Sequence, residues 1–395
     1  MKALQALRTK VVLFRLSVPL VAFASLFAQP SRNSAAPGRM IDVDGHRLWL
    51  LITGAGPKTV VFESGIGDTH QSWNKVVPEV SKYARVVLYD RAGAGGSEPG
   101  PEPRSWAQMA KELHGLLRNA GVPGPYILVG HSLGGGIVRA FCQLYRGDVA
   151  GLVFVDPICA DVFQGLTPEQ LEAVAAQQEA MLHTPGELAE WRFLKPEGFH
   201  NFPELRALGA PPDVPTFLLI AGRDRPPNWS KALLREYGPW IGGDSEGRLL
   251  LTPDSGHYIQ NDQPELVIEA IRRVVFPSAM RILENTIRER GVTAAVAQYH
   301  DLEQQYPREY LPQRLLNTLG YAQLRRKQIE EAIALFKLNT EVFPNAFNAY
   351  DSLAEAYAAH GDRDLAIANY RRSLALNPGN TNASEALQKL ELPKP

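Results

Sequence analysis

The sequence predicts an α/β protein with a mostly parallel central sheet, followed by an all-α region of helical repeats. Three observations support this prediction. Short apolar runs alternate with helix-forming segments between residues 39 and 276. One of these runs leads through a glycine-rich turn around Ser132 into a helix. After residue 276 the strand-like runs stop and a period of 34 residues begins. A chain of 395 residues is also too long for one ordinary hydrophobic core.

Residues 1–28 have the pattern of a secretory signal peptide or an N-terminal anchor. Several Lys and Arg residues precede an apolar run from Leu16 to Ala28, which is too short to span a bilayer comfortably. Residues 29–38 are rich in Pro, Ser and Ala and are interpreted as a linker. We therefore expect an exported protein, periplasmic or secreted, that is held at a membrane only if the first segment stays uncleaved.

Composition narrows the possible functions. The net charge of −1 gives no basic stripe, so nucleic-acid binding is not expected. The two cysteines, Cys142 and Cys159, stand in no C-x-x-C motif or His/Cys cluster, so we predict no metal site built on thiolates. We also expect no other metal and no cofactor. Both cysteines are interpreted as small buried residues, with a disulfide between them as the alternative.

Strands are predicted at residues 47–52, 59–62, 85–89, 126–129, 152–155, 216–220 and 248–251. Three of these, residues 126–129, 152–155 and 216–220, are short apolar runs that suit strands buried on both faces of a parallel sheet. Helices are predicted at residues 106–117 and 137–145. The segment from about 157 to 215 is rich in helix formers and is predicted to be a small helical cap. It would cover the carboxyl ends of the strands, where ligands of such sheets bind.

The turn from Gly130 to Gly134 reads Gly-His-Ser-Leu-Gly, between a strand and a helix. This is the G-x-S-x-G pattern in the strand–turn–helix context that is typical of a nucleophilic serine. Such a sharp turn leaves no space for bulky neighbours, and glycine relieves the crowding because it lacks a Cβ atom. Amide N–H groups at the start of the helix favour negative charge there. Ser132 is therefore the predicted nucleophile, and an incidental serine in a plain turn is the alternative.

A serine nucleophile needs a base and an acid that orients the base. His257 lies in the loop after the last predicted strand and is the predicted base. Two aspartates follow strands and could supply the acid, Asp224 and Asp156. Asp224 is preferred because it follows the predicted strand at residues 216–220, after which the acid of such a triad usually comes. The carboxylate is more common three residues after the glycine of this turn, and Arg225 occupies that position. Asp156 is the alternative acid, and it also fits a turn at the end of a strand.

Two backbone N–H groups are predicted to form an oxyanion hole. One belongs to Leu133, the residue after the nucleophile, and the other to Ile66 in the glycine-containing loop Glu63–Asp68. The second loop could equally be a plain glycine turn. The segment from Asp90 to Ser97 lacks the Gly-Lys-Ser/Thr of a phosphate loop, so no nucleotide site is predicted. Asp90 and Arg91 are expected to brace neighbouring loops by charge-assisted hydrogen bonds.

Together these motifs resemble the α/β-hydrolase superfamily, in its group of small esterase- or peptidase-like members. The resemblance covers residues from about 40 to 276 and rests on four segments, residues 63–67, 89–93, 130–135 and 255–257. It implies a Ser-Asp-His triad with Ser132 and His257 in matching positions. The usual His-Gly of the oxyanion loop is replaced by Ser64 and Gly65. A serine nucleophile also disfavours the haloalkane dehalogenases and epoxide hydrolases, which resemble this fold with an aspartate in that place.

The predicted function is that of a carboxylesterase-like serine hydrolase that cleaves an ester or related acyl bond of a small-molecule substrate without a cofactor. Two alternatives remain open at this point. One is a peptidase that uses the same triad. The other is an inactive hydrolase-fold scaffold that acts through its C-terminal repeats.

The C-terminal region, residues 277–395, repeats at 34 residues. Leu319, Ala332, Phe336 and Pro344 are echoed by Leu353, Ala366, Tyr370 and Pro378, and a weaker copy holds Ala295, Tyr299 and Pro307. This pattern resembles the tetratricopeptide (TPR) repeat, with residues 382–390 as a terminal capping helix. Such repeats either present a concave surface to a protein or peptide partner or simply support the hydrolase. The cations at residues 325–327 could hold a carboxylate or form a solvated face.

Overall fold

The computed structural model describes residues 38–159, 167–180, 182, 184–194, 202–209, 212–225, 228–241 and 248–392. They form two compact units that divide between Val275 and Phe276. The predicted signal peptide or anchor, and all but the last residue of the predicted linker, lie outside the described residues. No helix within the described ranges has the length and apolar character needed to cross a membrane.

The first unit is built on a twisted sheet in which eight strands are described. These are β1 (Arg39–Val43), β2 (His46–Thr53), β3 (Thr59–Glu63), β4 (Arg85–Tyr89), β5 (Tyr126–His131), β6 (Val149–Val155), β7 (Thr216–Ala221) and β8 (Arg248–Thr252). Their order across the sheet is β1-β2-β4-β3-β5-β6-β7-β8. Strand β2 is antiparallel to both of its neighbours, and the strands from β4 to β8 are parallel. The seven predicted strands are confirmed, and β1 is one that the sequence analysis did not single out.

Helices flank this sheet. Those before the cap are α1 (Val77–Val80), α2 (Trp106–Asn119) and α3 (Leu133–Leu144). In the cap region lie α4 (Pro168–Glu179), α5 (Pro185–Leu194) and α6 (Phe202–Ala207), and after it α7 (Trp229–Ile241), α8 (Ile259–Asp262) and α9 (Pro264–Val275). Residues in the middle of the inner strands are fully buried, among them Val61, Leu128 and Leu218, whereas the edge strands β1 and β8 are partly exposed. Continuous apolar strands are what a sheet covered on both faces requires.

Helix α3 begins four residues earlier than the sequence predicts. Three consecutive glycines, Gly134 to Gly136, have low helix propensity and suggest a turn. The fold needs them inside the helix because α3 packs closely on its neighbours. A Cβ atom at Gly134 would lie 2.3 Å from the backbone oxygen of Glu63, and one at Gly136 would lie 2.6 Å from the ring of Trp106. Close packing therefore outweighs propensity at this site.

The second unit is all helical in its described residues. Its helices are α10 (Ala279–Gln305, kinked at Gly291), α11 (Gln313–Arg325), α12 (Ile329–Val342), α13 (Phe347–His360), α14 (Arg363–Leu376) and α15 (Thr381–Glu391). Helix starts recur at 34 residues, from Gln313 to Phe347, from Ile329 to Arg363 and from Phe347 to Thr381.

Small residues and aromatic rings alternate in the core of this second unit. Ala332, Phe336, Ala366 and Tyr370 are all buried. A Cβ atom at Gly320 would lie 2.4 Å from the ring of Phe336, so α11 and α12 approach closely at that point. The helix pairs are thus packed through positions that repeat with the sequence period.

Candidate active site

The turn that carries Ser132 is strained. The serine has φ 51° and ψ −119°, a conformation that non-glycine residues rarely adopt. A Cβ atom at Gly130 would lie 2.8 Å from the backbone oxygen of Gly134, so a larger residue does not fit there. Strained residues persist only where the surroundings fix them, and they cluster at functional sites. The glycine-relieved turn predicted from the sequence is therefore present.

Backbone hydrogen bonds hold this turn on both sides. The Ser132 N–H donates to the backbone oxygen of Val155 at 3.3 Å. The Ser132 carbonyl accepts from the N–H of Ile158 at 2.8 Å and from that of Gly135 at 3.0 Å. The serine is thereby fixed between the end of β5 and the end of β6.

His257 lies in the loop between β8 and α8, beside the serine turn. Its backbone oxygen accepts a hydrogen bond from Nε2 of His131, the residue before Ser132, at 3.0 Å. The two imidazole rings lie 4.5 Å apart between centroids. Ring nitrogen Nδ1 of His257 lies 2.8 Å from Oδ2 of Asp156. Although 125 residues separate them in the sequence, His257 and Ser132 are therefore brought to the same edge of the sheet.

Asp156 is the carboxylate behind His257. It follows β6, and its side chain is fully buried. Oδ1 accepts hydrogen bonds from the backbone N–H of Ala221 at 3.1 Å and from Nε1 of Trp229 at 2.7 Å. Oδ2 faces His257 and Nη2 of Arg225. Every face of this carboxylate is thus occupied by a donor.

The preference for Asp224 over Asp156 as the partner of His257 is corrected by these positions. The side chain of Asp224 is 73% exposed and lies 3.5 Å from Nε of Arg223. The backbone at Asp224 has a positive φ of 57°, in the turn after β7. This turn places Asp224 in solvent and brings the next residue, Arg225, to the buried site instead. Asp156, the alternative acid, holds the place behind the imidazole.

Arg225 is a charged residue of the site whose contact with the acid the sequence analysis missed. Its side chain is only 6% exposed, and Nη2 contacts both Asp156 Oδ2 and His257 Nδ1. Its guanidinium lies 4.2 Å from the centroid of the Trp229 ring, a cation–π distance. The one available signal was that an arginine occupies the position where a carboxylate was expected.

These contacts set the charges of the pair. Burial acts to raise the pKa of Asp156, but the hydrogen bond from His257 and the positive charge of Arg225 outweigh it and lower that pKa to about 2. Burial, followed by the positive charge of Arg225, lowers the pKa of His257 below its ordinary value. At neutral pH the site therefore pairs an ionised carboxylate with a neutral imidazole. With its proton on Nδ1, such an imidazole can accept a second proton at Nε2.

The two predicted oxyanion donors lie on chain segments that meet at Ser132. A Cβ atom at Gly65 would lie 3.3 Å from Cβ of Ser132, so the loop that holds Ile66 is in contact with the serine. Leu133 is the first residue of α3, and the N–H groups of a first helical turn have no acceptor inside their helix. The two segments are thus suited to supply two backbone donors near one oxygen.

The other predicted roles can be placed as well. Asp90 braces its loop, as expected, by accepting from the N–H of His70 at 2.8 Å and from that of Gly96 at 3.0 Å. Cys142 and Cys159 are both buried thiols, and burial raises the pKa of Cys142 to about 12. Among the residues the structure describes, no group of three or more His, Cys, Asp or Glu side chains could hold a metal ion.

Comparison with known families identifies the fold of the first unit. Residues 58–232 match the family described as alpha/beta hydrolase fold. Together with the strand order and the parallel sheet, this match confirms the predicted fold class. The chain therefore has an α/β-hydrolase fold followed by a C-terminal helical region.

Curated relatives share only part of this chain. The uncharacterized protein YqjL of Bacillus subtilis is 34% identical over 108 residues, which cover 27% of this chain and 43% of YqjL. A probable transporter, efuK, of Hormonema carpetanum is 34% identical over 135 residues, which cover 32% of this chain and 19% of efuK. The chain thus spans less than half the length of either relative.

Solved structures resemble the first unit over most of their own length. A thermophilic esterase from Thermogutta terrifontis is 25% identical with a TM-score of 0.47, over 60% of this chain and 97% of the esterase. An alpha/beta hydrolase fold protein from Burkholderia ambifaria is 21% identical with a TM-score of 0.46, over 62% of this chain and 99% of that protein.

Proposed function

We propose that the chain is a serine hydrolase of the α/β-hydrolase superfamily that cleaves a carboxylic ester or a related acyl bond. The observation that carries the proposal is the buried pair of His257 and Asp156 beside the strained turn of Ser132, with 2.8 Å between Nδ1 and Oδ2. A serine on such a turn with an oriented neutral imidazole next to it is the arrangement that acyl transfer requires.

The reaction proceeds in two halves. Ser132 Oγ attacks the acyl carbonyl carbon while Nε2 of His257 takes the hydroxyl proton. The resulting imidazolium is stabilised by the Asp156 carboxylate and returns the proton to the departing alcohol, leaving an acyl-enzyme. Water, deprotonated by the same imidazole, then attacks the acyl carbonyl. The imidazolium gives this proton to Ser132 Oγ as the acyl bond breaks, which releases the acid and restores both the serine hydroxyl and the neutral imidazole.

Negative charge on the carbonyl oxygen is stabilised by backbone donors. We assign this role to the N–H groups of Ile66 and Leu133, which would act on charge that develops only in the transition state. Asp156 keeps the imidazole in the tautomer with its proton on Nδ1. The hydrogen bond from His257 and the positive charge of Arg225 hold the pKa of Asp156 low, so this carboxylate stays ionised.

A labelling experiment tests this function. Wild-type protein should react with a fluorophosphonate probe and hydrolyse p-nitrophenyl acetate, whereas Ser132→Ala should do neither while keeping its melting temperature within a few degrees. A wild-type protein that neither reacts nor hydrolyses would refute the proposal and favour the non-catalytic scaffold. Matched ester and amide substrates on the same preparation would distinguish an esterase from a peptidase.

The C-terminal unit and the cellular location complete the proposal. We infer that the second unit is a TPR-type module, because its helix starts recur at 34 residues and small and aromatic residues fill repeated positions. Its expected partner is a protein or peptide. We also propose export through the N-terminal segment. Fractionation of cells that express the full-length chain tests this, since retention in the cytosol would contradict it.

A further inference from the structure

Arg91, at the end of β4, is a buried cation whose contacts reach two different parts of the molecule. It is 4% exposed. Nε and Nη2 donate to the two carboxylate oxygens of Glu190 at 2.6 and 2.9 Å, and Nη1 donates to Oε1 of Glu63 at 2.8 Å. Nη1 also donates to the backbone oxygen of Ser64 at 2.6 Å, and Nη2 to that of Gly65 at 2.7 Å. All five N–H donors of the guanidinium are thereby used.

Two of these bonds fix the loop that carries a proposed oxyanion donor. A peptide unit is planar and trans, so its C=O and N–H groups point in opposite directions. When Arg91 holds the carbonyl of Gly65, it therefore also sets the direction of the N–H of Ile66. A rotation of that peptide would aim this N–H elsewhere and break a charge-assisted hydrogen bond.

Two further bonds, both to Glu190, reach the cap. Glu190 lies on helix α5, is 2% exposed, and is 99 residues from Arg91 in the sequence. The same helix packs on the loop after β4 at Gly186, where a Cβ atom would lie 2.3 Å from the backbone oxygen of Gly93. Gly67 in the oxyanion loop faces the same helix, with the Glu187 side chain 3.5 Å from a Cβ built on it. Cap helix and oxyanion loop are thus attached to one side chain.

We propose that Arg91 is a positioning residue that couples the position of cap helix α5 to the alignment of the Ile66 N–H. The oxyanion hole is then complete only when Glu190 is paired with Arg91. This inference rests on the proposed function for its catalytic consequence. The coupling itself is a property of the contacts and can be measured without turnover.

Charge balance makes Glu190→Gln the informative variant. Arg91 keeps one buried carboxylate partner, Glu63, so the substitution leaves no unpaired buried cation. The opposite change, removal of Arg91, would leave Glu63 and Glu190 buried without their cation. Glu190→Asp serves as a second variant, because it keeps the charge and places the carboxylate one methylene farther from Arg91.

Arg192 provides a matched control on the same helix. Its Nη2 forms an ion pair with Glu102 at 2.7 Å, so it links α5 to the loop between β4 and α2. Both side chains of this pair are more than half exposed, at 59% and 54%, and no described contact joins them to the oxyanion loop. Arg192→Gln therefore removes a cap contact without touching the proposed coupling.

The experiment compares full-length wild type, Glu190→Gln, Glu190→Asp and Arg192→Gln in ester hydrolysis and hydrogen exchange. We expect Glu190→Gln to lower kcat by about tenfold to a hundredfold, since a misaligned oxyanion donor costs up to what a missing donor costs. KM should stay within about twofold, because this interaction acts on the transition state. Inhibition by phenylboronic acid, which forms a tetrahedral adduct with an activated serine, should weaken by a similar factor as kcat. Glu190→Asp should show the same pattern more weakly, and Arg192→Gln should match wild type.

Hydrogen exchange supplies the readout that needs no activity. In Glu190→Gln the amides of residues 64–69 and of residues 187–194 should both exchange faster, whereas in Arg192→Gln the loop should exchange as in wild type. Wild-type kcat and wild-type loop exchange in both Glu190 variants would overturn the coupling. If wild-type protein hydrolyses no ester, the proposed function fails, and unchanged loop exchange would then overturn the coupling separately.

Discussion

Replacing Asp156 with asparagine tests the assignment of the acid most directly. The carboxylate receives four contacts, from Ala221, Trp229, His257 and Arg225. In Asp156→Asn the remaining oxygen can still accept from Ala221 N–H and Trp229 Nε1. The new NH2 group then stands where Oδ2 stood and faces two donors, His257 Nδ1–H and Arg225 Nη2. The imidazole is expected to move its proton to Nε2, which removes the base from Ser132.

The expected losses in kcat and in the free energy of unfolding both follow from these contacts. A base held in the wrong tautomer costs a serine hydrolase about 10⁴ in kcat. Breaking a buried ion pair leaves Arg225 without its carboxylate and costs about 3–5 kcal/mol in the free energy of unfolding. For the matched variant Asp224→Asn we expect a change within about 0.5 kcal/mol, because that side chain is 73% exposed. Its kcat should equal that of wild type within about twofold.

The assay is p-nitrophenyl ester hydrolysis together with the rate of fluorophosphonate labelling, run well below the lower melting temperature of the two variants. Circular dichroism confirms that Asp156→Asn is folded under those conditions. Loss of activity in Asp224→Asn, with activity kept in Asp156→Asn, would show that the contacts around His257 do not identify the working acid.

Two further predictions concern Arg225 and the second unit. The charge of Arg225 lowers the pKa of His257, so Arg225→Gln should raise that pKa and move the acid limb of the kcat/KM profile to higher pH. The exposed neighbour variant Arg223→Gln should leave this limb in place, and an unmoved limb in Arg225→Gln would count against the assigned charges. Gly320→Ala should destabilise the second unit by about 1–3 kcal/mol, because its Cβ would lie 2.4 Å from the Phe336 ring. Urea unfolding measures this loss, and Gly379→Ala, where the nearest atom is 3.4 Å away, should unfold as wild type does.

The fold was predictable because its signals are local. A strand buried on both faces must be a continuous apolar run, and a serine on a sharp strand-to-helix turn must have small neighbours. Both properties can be found within ten residues of sequence. The start of α3 was predicted wrongly because helix propensity treats Gly134 as a helix breaker. Glycine is required there because the backbone of Glu63, at the end of β3, lies too close for a Cβ atom, and this contact is not local in the sequence.

The acid could not be determined from the sequence for a related reason. Asp156 and Asp224 both follow buried strands, and both have positive φ, 41° and 57°. Which of them reaches His257 depends on the side toward which each turn directs its side chain, and the pattern of residue types does not show this side. The pairing of Arg91 with Glu190 was equally out of reach, since a bracing role could be assigned to Arg91 but its partner on the cap could not.

The contact between Gly186 and Gly93 has a consequence for the position of the cap helix. There the first turn of α5 touches the loop after β4 through main-chain atoms. A Cβ atom built on Gly186 would lie 2.3 Å from the backbone oxygen of Gly93, so the two backbones leave no space for it. A side-chain replacement elsewhere on α5 cannot bring the two backbones closer than they already lie. A residue larger than glycine at position 93 or 186 would push them apart, so these two positions determine the smallest distance between the cap helix and this loop.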